Sequence, residues 1–112
     1  ADALQENVFQ TKSGLTLIDF DDAGFGYRGY DLGVCVSQHY AAGHLNDLIA
    51  AVAEGYGTLR KAPSIDDIKF FLMLRGLASC GWVIARQPKK SPVQRRYAER
   101  ALHLAHQWLT TA

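Results

Sequence analysis

The pattern of apolar and polar positions changes character about a quarter of the way along the chain. Two short runs rich in β-branched and aromatic residues, Asn7–Thr11 and Leu15–Phe20, flank Lys12-Ser13-Gly14, a combination typical of a tight turn. They predict a β-hairpin. The next segment, Asp21–Gly29, contains three glycines and predicts a loop. A two-stranded hairpin is marginally stable alone, so we expect it to pack on the segments that follow.

Apolar residues then recur every three or four positions, which predicts four helices. Their predicted ranges are Tyr30–Tyr40, His44–Tyr56, Ser64 to about Arg86, and Ser91 to the end. A serine at the start of the third and fourth helices is suited to cap the first free N–H groups. The third helix is apolar on most sides, so we expect it to be the buried central helix, with Trp82 in the core. The predicted inner face of the fourth helix is Val93, Tyr97, Ala101, Leu104, Ala105 and Trp108.

Composition and charge narrow the functional classes. The 112 residues suffice for one domain, and the net charge of +1 argues against a dedicated nucleic-acid binder. No continuous run of 18 apolar residues and no signal peptide are visible, so no membrane partner is expected. Cys35 and Cys80 lie within apolar patterns, which favours free thiols in a reducing, cytoplasmic compartment.

Carboxylates and one carboxamide are predicted to gather at the open end of the hairpin. Asp19 follows four strand residues and precedes the glycine-rich loop, whereas Asn7 begins the partner strand. A strand that ends in an acid before such a loop is suited to hold a hard cation, and Mg²⁺ prefers oxygen ligands. Asp2 lies five residues before Asn7, within reach of a substrate hydroxyl beside the metal. The sequence therefore predicts a magnesium site formed by Asn7 and Asp19.

The amino-acid sequences of these segments resemble the motifs of one family. The arrangement Asp-x-x-x-x-Asn, a short hairpin and then Ile-Asp-Phe is similar to the catalytic loop and metal-binding Asp of the protein-kinase-like fold. ADALQENVF and LIDFDDAGFGYRGYDLG resemble the corresponding segments of the aminoglycoside phosphotransferase and choline kinase-like family. The resemblance is close over Asp2–Gly33, and the later helices match only in order and apolar character.

The resemblance implies a role for each of four side chains. Asp2 corresponds to the catalytic Asp, which orients the acceptor hydroxyl and accepts its proton. Asn7 and Asp19 correspond to the residues that bind Mg²⁺ and, through it, the phosphates of ATP. Asp31 corresponds to a structural Asp that braces the catalytic loop. The chain departs from the family pattern at Ala3, Gln5 and Glu6, which leaves the local loop conformation open.

The same resemblance implies a fold and a reaction. The expected fold is mostly α with a short β-hairpin (α+β), the C-terminal lobe of a protein-kinase-like phosphotransferase. Residues 1–29 would form the catalytic loop, hairpin and metal-binding loop, and residues 30–112 a helical subdomain, together one partial domain. The reaction would be ATP- and Mg²⁺-dependent transfer of the γ-phosphoryl group to a hydroxyl of a small molecule such as an aminoglycoside, choline or an amino alcohol.

Completeness of the catalytic apparatus is a separate expectation. The His of the family's His-x-Asp would fall one residue before Ala1, and no Gly-x-Gly-x-x-Gly precedes a lysine-bearing strand. We therefore expect a missing N-terminal lobe of the same chain to be the main partner. We also expect the 112 residues alone to be inactive, because half of the groups that position the phosphates are absent.

Three other interpretations of these acidic residues compete with a phosphotransferase. Asp19 and Asp21, two apart after a strand, are also typical of haloacid-dehalogenase-type phosphohydrolases, but Asp22-Ala23 stands where that family has Gly-Thr. An EF-hand loop starting at Asp19 lacks the Glu required at its twelfth position, where Tyr30 stands. The third alternative is a helical interaction module, or a kinase relic without activity, in which the acids are merely a solvated hairpin end.

A basic cluster accompanies the last predicted turn. It comprises Arg86, Lys89, Lys90, Arg95, Arg96 and Arg100, with only Glu99 nearby. A solvated helix face is the default interpretation of such a cluster, and a rim that attracts an anionic substrate is the alternative.

Overall fold

The computed structural model describes residues 3–20 and 24–111. A two-stranded antiparallel hairpin, β1 (Val8–Thr11) and β2 (Gly14–Leu17), precedes four helices. The helices are α1 (Arg28–Val36), α2 (Leu45–Gly57), α3 (Ile65–Arg86) and α4 (Pro92–Thr111). Short 3-10 turns at Gln5–Asn7 and Ser37–His39 precede β1 and follow α1. The expected class, mostly helical with one hairpin, is confirmed.

The hairpin turns on Lys12 and Ser13. Thr11 pairs with Gly14 at the turn, and the hydroxyl of Thr11 donates a hydrogen bond of 2.9 Å to the Gly14 carbonyl. Gly14 adopts φ +122°, which a side chain would strain, so glycine suits this turn. Both strands are shorter than predicted, and the second stops at Leu17 because Asp19 leaves the extended conformation.

Helix α3 is the centre of the helical part, with α1 and α4 packed against it. The approach of α1 is very close. A Cβ added at Gly33 would lie 2.7 Å from the backbone N of Leu72, and one at Gly29 would lie 2.7 Å from the ring of Phe71. Gly76 likewise lets α4 approach α3 closely, since a Cβ at this position would lie 2.8 Å from the side chain of Leu104. Small residues at these crossings let the helix backbones approach.

The core lies where three helices meet the second turn of α3. Its buried residues are Val36, Ile49, Ile68, Leu72 and Leu104. Leu32 and Tyr40, together with most of the apolar stripe of α2, pack around them. The predicted inner face of α4 is confirmed, because all six of its residues are buried or half-buried. Burial of each of these aliphatic side chains contributes about 1.5–3 kcal/mol of hydrophobic stabilisation.

Serine caps fix the starts of the two long helices, as predicted. The Ser64 hydroxyl accepts a 3.0 Å hydrogen bond from the backbone N–H of Asp67, and the Ser91 hydroxyl accepts one of 3.2 Å from that of Gln94. Pro92 occupies the first helical position of α4, where its missing N–H costs nothing. Cys35 and Cys80 are free and half-buried, as expected, and burial raises the pKa of the Cys35 thiol.

Three expectations are corrected. The first helix begins two residues early, at Arg28, and its last turn tightens into a 3-10 turn where the Ser37 hydroxyl donates to the Val34 carbonyl at 2.7 Å. Trp82 is 58% exposed rather than in the core, because this part of α3 buries only the face that carries Val83. The hairpin does not bury its apolar side chains on the helices, and Phe9 and Leu15 remain exposed.

By length and composition alone α3 could cross a membrane. It has 22 residues and a mean hydropathy of 1.5 over its most apolar window. The core helix of a water-soluble fold satisfies the same criterion, and α3 packs against both α1 and α4. The absence of a membrane partner therefore stays a prediction.

The close α1–α3 crossing gives a stability prediction. Gly33→Ala should lower the free energy of unfolding by about 2–3 kcal/mol, because the new methyl group meets rigid backbone rather than a movable side chain. Gly81→Ala is the matched control, since it is helical, exposed and open to solvent, and should raise stability by up to about 1 kcal/mol. Urea denaturation followed by circular dichroism measures the free energy of unfolding of both variants. An equal change in the two variants would contradict the close contact between α1 and α3.

Candidate functional site

The predicted metal ligands both lie at the open end of the hairpin. The Asn7 carbonyl accepts a 2.8 Å hydrogen bond from the backbone N–H of Ile18, which extends the pairing one step beyond Val8 and Leu17. Asp19 is the next residue along the chain, two positions beyond the end of β2. The structure therefore brings the backbones of Asn7 and Asp19 to neighbouring positions, as the turn at Lys12-Ser13 requires.

Asn7 is held firmly at this end. It is 9% exposed, and its backbone N–H donates a 2.9 Å hydrogen bond to the carbonyl of Leu4, which is also buried. The 3-10 turn Gln5–Asn7 thus ties the segment before β1 to the start of the strand. A buried polar residue is costly unless it is hydrogen-bonded, and Asn7 does make further interactions. The backbone of Asn7 is thus fixed on both sides, and its carboxamide offers an oxygen donor at this position.

Asp19 differs from Asn7 in its exposure to solvent, and its backbone conformation is unusual. It is exposed and adopts φ +66°, in the left-handed region. Residues with a side chain are rare there, although Asp tolerates the region better than most. The turn ends β2 and sends the chain into the glycine-rich segment. Backbone strain of this kind concentrates at functional sites, which makes Asp19 a candidate on structural grounds as well.

Asp31 lies in the first turn of α1, half-buried. A carboxylate there is stabilised by the positive end of the helix dipole. The N-terminal end of α1 is itself fixed by aromatic contacts, with the rings of Tyr27 and Tyr30 lying 6.0 and 6.4 Å from that of Phe71. Asp31 makes at least one further interaction, so it is anchored rather than free.

The predicted catalytic residue, Asp2, lies outside the described residues, as do Asp21 and Asp22. Within residues 3–20 and 24–111, no group of three His, Cys, Asp or Glu side chains could hold a metal ion. That finding does not count amides, and Asn7 with Asp19 supplies one carboxamide and one carboxylate. Mg²⁺ is commonly held by one or two protein ligands completed by water and substrate phosphates, so this donor set fits it.

Exposed apolar side chains around this end were not predicted. Phe20 is 55% exposed, Tyr27 is 82% exposed, and Phe25 projects fully into solvent. The sequence predicted only a loop for this segment, although Phe25 and Tyr27 are visible beside its glycines.

A sizeable cavity of the described chain lies among the helices. It is a groove of about 530 Å³ between the segment before α2, the first half of α3 and the end of α4. Its wall includes Tyr40, Lys69, His103 and Trp108. Tyr40 lies beyond the C-terminal end of α1, whereas Asp31 lies in its first turn. No residue of the hairpin lines this groove.

Comparison with known proteins decides the family. A model of the phosphotransferase enzyme family (APH) matches residues 1–68. The chain belongs to this phosphotransferase family. The match covers the hairpin, α1 and α2 and ends in the first turns of α3, so it includes Asp2, Asn7, Asp19 and Asp31. No curated protein and no solved structure matched the chain.

Family membership confirms the resemblance inferred from the sequence motifs. It identifies the protein with phosphotransferases in general, and so with the kinase type of enzyme. It also disfavours the phosphohydrolase and EF-hand alternatives, which explain only the residues around Asp19. The roles of the individual acids remain predictions.

The left-handed backbone at Asp19 gives a test that is independent of activity. Asp19→Gly should raise the free energy of unfolding by about 0.5–1 kcal/mol, because glycine adopts this φ without a steric penalty. Lys90→Gly is the reference, since Lys90 has φ +60° in the turn between α3 and α4. Thermal or urea unfolding measures both, and a clear loss of stability in Asp19→Gly would contradict a strained backbone at that residue.

Proposed function

We propose that this chain is the C-terminal catalytic portion of an ATP- and Mg²⁺-dependent phosphotransferase. The reaction would transfer the γ-phosphoryl group of ATP to a hydroxyl of a small molecule. The observation that carries the proposal is the hydrogen bond from Ile18 to the Asn7 carbonyl, which sets Asn7 beside Asp19 in a chain of the phosphotransferase family.

Asn7 and Asp19 would hold Mg²⁺ in this protein. The carboxamide of the buried Asn7 and the exposed carboxylate of Asp19 offer the hard oxygen donors that the ion prefers. When bound, the ion would neutralise charge on the phosphates of ATP. The rigidity of Asn7 and the fixed turn at Asp19 would keep those donors in position without reorganisation during the reaction.

Asp2 would serve as the catalytic residue in this scheme. Its carboxylate would orient the acceptor hydroxyl and accept its proton, and Asp2 lies five residues before Asn7 in the chain. Asp31 would act as a positioning residue. Because α1 is held against α3 through Gly29 and Gly33, Asp31 would be a rigid support for the catalytic loop.

The proposal also covers the fold, an N-terminal lobe and the acceptor. A kinase-like C-terminal lobe accords with the hairpin followed by helices and with the family match. An N-terminal lobe of the same polypeptide would supply the other phosphate-binding groups, in the cytoplasm. The acceptor would be an aminoglycoside, choline or an amino alcohol, since one phosphate-transfer apparatus serves many acceptor pockets.

Metal binding tests the ligand assignment directly. Titration of the ¹⁵N-labelled chain with Mg²⁺ should shift the amide signals of Asn7, Asp19 and their neighbours, saturating in the millimolar range (on the order of 1–10 mM for two protein ligands without nucleotide). Asp19→Asn should abolish the saturable shift. Asp47→Asn, an exposed carboxylate in the first turn of α2, is the matched control and should leave it intact. Unchanged shifts in Asp19→Asn would refute the site.

Activity tests the reaction. In the protein carrying both lobes, ADP release in the presence of a panel of hydroxyl acceptors should fall at least about 100-fold in Asp19→Asn, because charge stabilisation of the transferring group is lost. Asp31→Asn should retain part of the rate, and Asp47→Asn should equal the unmodified protein. The 112-residue chain alone should release almost no ADP. A near-normal rate in Asp19→Asn, or robust turnover by the isolated chain, would count against the proposal.

A further inference from the structure

A second charged site lies beyond the opposite end of α1. A cleft of about 240 Å³ is formed between the 3-10 turn after α1 and the first half of α4. Its wall consists of Gln38, Tyr40, Arg96, Tyr97 and Arg100. Arg96 and Arg100 are four residues apart on α4, so both guanidinium groups lie on the same face of the helix. The cleft thus combines two cations with the polar groups of Gln38 and Tyr40.

Arg100 is not an ordinary surface arginine. It is half-buried, and its guanidinium carbon lies 4.6 Å from the ring centroid of Tyr97 and 5.9 Å from that of Tyr40. Its Nε–H is buried and has no hydrogen-bond acceptor within the described part of the chain. A buried donor without an acceptor is costly, so a native structure that keeps one calls for a ligand or an ion at that place.

The charge around Arg100 is one-sided. Burial lowers the pKa of Arg100 first, and repulsion from Arg75 and Arg96 lowers it further, whereas Tyr97 and Tyr40 oppose the shift. None of the described residues that line the cleft is acidic. Glu99 lines only the neighbouring cleft. The local imbalance therefore favours an anion at this position.

The neighbouring surface strengthens that preference. A second cleft of about 260 Å³, which shares Arg96, is lined by Lys90 and Arg95 as well. The basic cluster recognised in the sequence is therefore concentrated around Arg96 and the turn before α4 instead of being spread evenly over a solvated helix. Clustered charge of one sign raises the local concentration of counter-ions.

We propose that the cleft formed by Gln38, Tyr40, Arg96 and Arg100 binds the phosphate group of a phosphate monoester. A dianion balances the two guanidinium groups, and planar guanidinium forks match phosphate oxygens. The two guanidinium groups, the Tyr40 hydroxyl and the Gln38 amide supply the donors. Neither of the proposed metal ligands, Asn7 and Asp19, lines this cleft.

Inorganic phosphate is the first probe. Titration of the ¹⁵N-labelled 112-residue chain, at constant ionic strength in chloride, should produce saturable shifts confined to Gln38, Tyr40 and the Arg96–Arg100 turn. Arg96→Gln should weaken binding about tenfold, because one charge-assisted contact is lost. Arg95→Gln removes the same charge from the same helix without touching this cleft, and should change the affinity less than about twofold.

Two further variants separate this site from folding and from the metal site. Arg100→Lys keeps the charge but removes the Nε–H and the fork, and should also weaken binding about tenfold. If Arg100→Lys disturbs folding, the Arg96→Gln variant still tests the proposal, because Arg96 is exposed. Asp19→Asn should leave phosphate binding unchanged, so the failure of one proposal does not entail the failure of the other.

Two probes identify the source of the phosphate. Glycerol 3-phosphate represents soluble monoesters, and vesicles of phosphatidylcholine with phosphatidic acid represent lipid headgroups. Binding of either probe that is weakened by Arg96→Gln and spared by Arg95→Gln supports the cleft and names the source. Equal weakening by both variants would indicate diffuse charge attraction and would overturn the proposal, as would the absence of saturable shifts with every probe.

Discussion

The close contact between α1 and α3 is the constraint on which the rest of the helical structure depends. Gly33 allows the α1 backbone to approach that of Leu72 so closely that a single Cβ would not fit. Because the two helices meet backbone to backbone, the orientation of α1 is fixed by hard contacts and not by adjustable side chains. The core residues Val36, Ile68 and Leu72 interlock at the same crossing.

This crossing also determines what lies at each end of α1. At the N-terminal end, Gly29 rests on the ring of Phe71, and Asp31 is anchored in the first turn. At the C-terminal end, the chain tightens at Ser37 and delivers Gln38 and Tyr40 against α4. One short helix therefore carries the half-buried Asp31 in its first turn and leads at its other end into the basic cleft, where we place the phosphate group.

The hairpin is held by different interactions from those that hold the helices. It buries little apolar surface, and Phe9, Leu15 and Ile18 remain exposed. Its geometry is set instead by the turn at Lys12-Ser13 and by the backbone pairing that reaches the Asn7 carbonyl. A rigid ladder can position Asn7 beside Asp19 without a core, and the left-handed turn at Asp19 then ends the ladder. Positional precision here comes from hydrogen bonds, whereas in the helices it comes from packing.

The sequence by itself determined the hairpin, the number of helices, the serine caps and the family, because these depend on local turn chemistry, on helical periodicity and on motif wording. It also placed Asn7 and Asp19 at one end of the hairpin, since a tight turn fixes the register. Only the tertiary structure decided which face of α3 is covered, and so left Trp82 exposed. It alone brought the guanidinium of Arg100 to 5.9 Å from the ring of Tyr40, 60 residues away in the chain, whereas the contact with Tyr97 is an i, i+3 pair within α4. Both outcomes depend on how separate helices pack, for which no local pattern carries a signal.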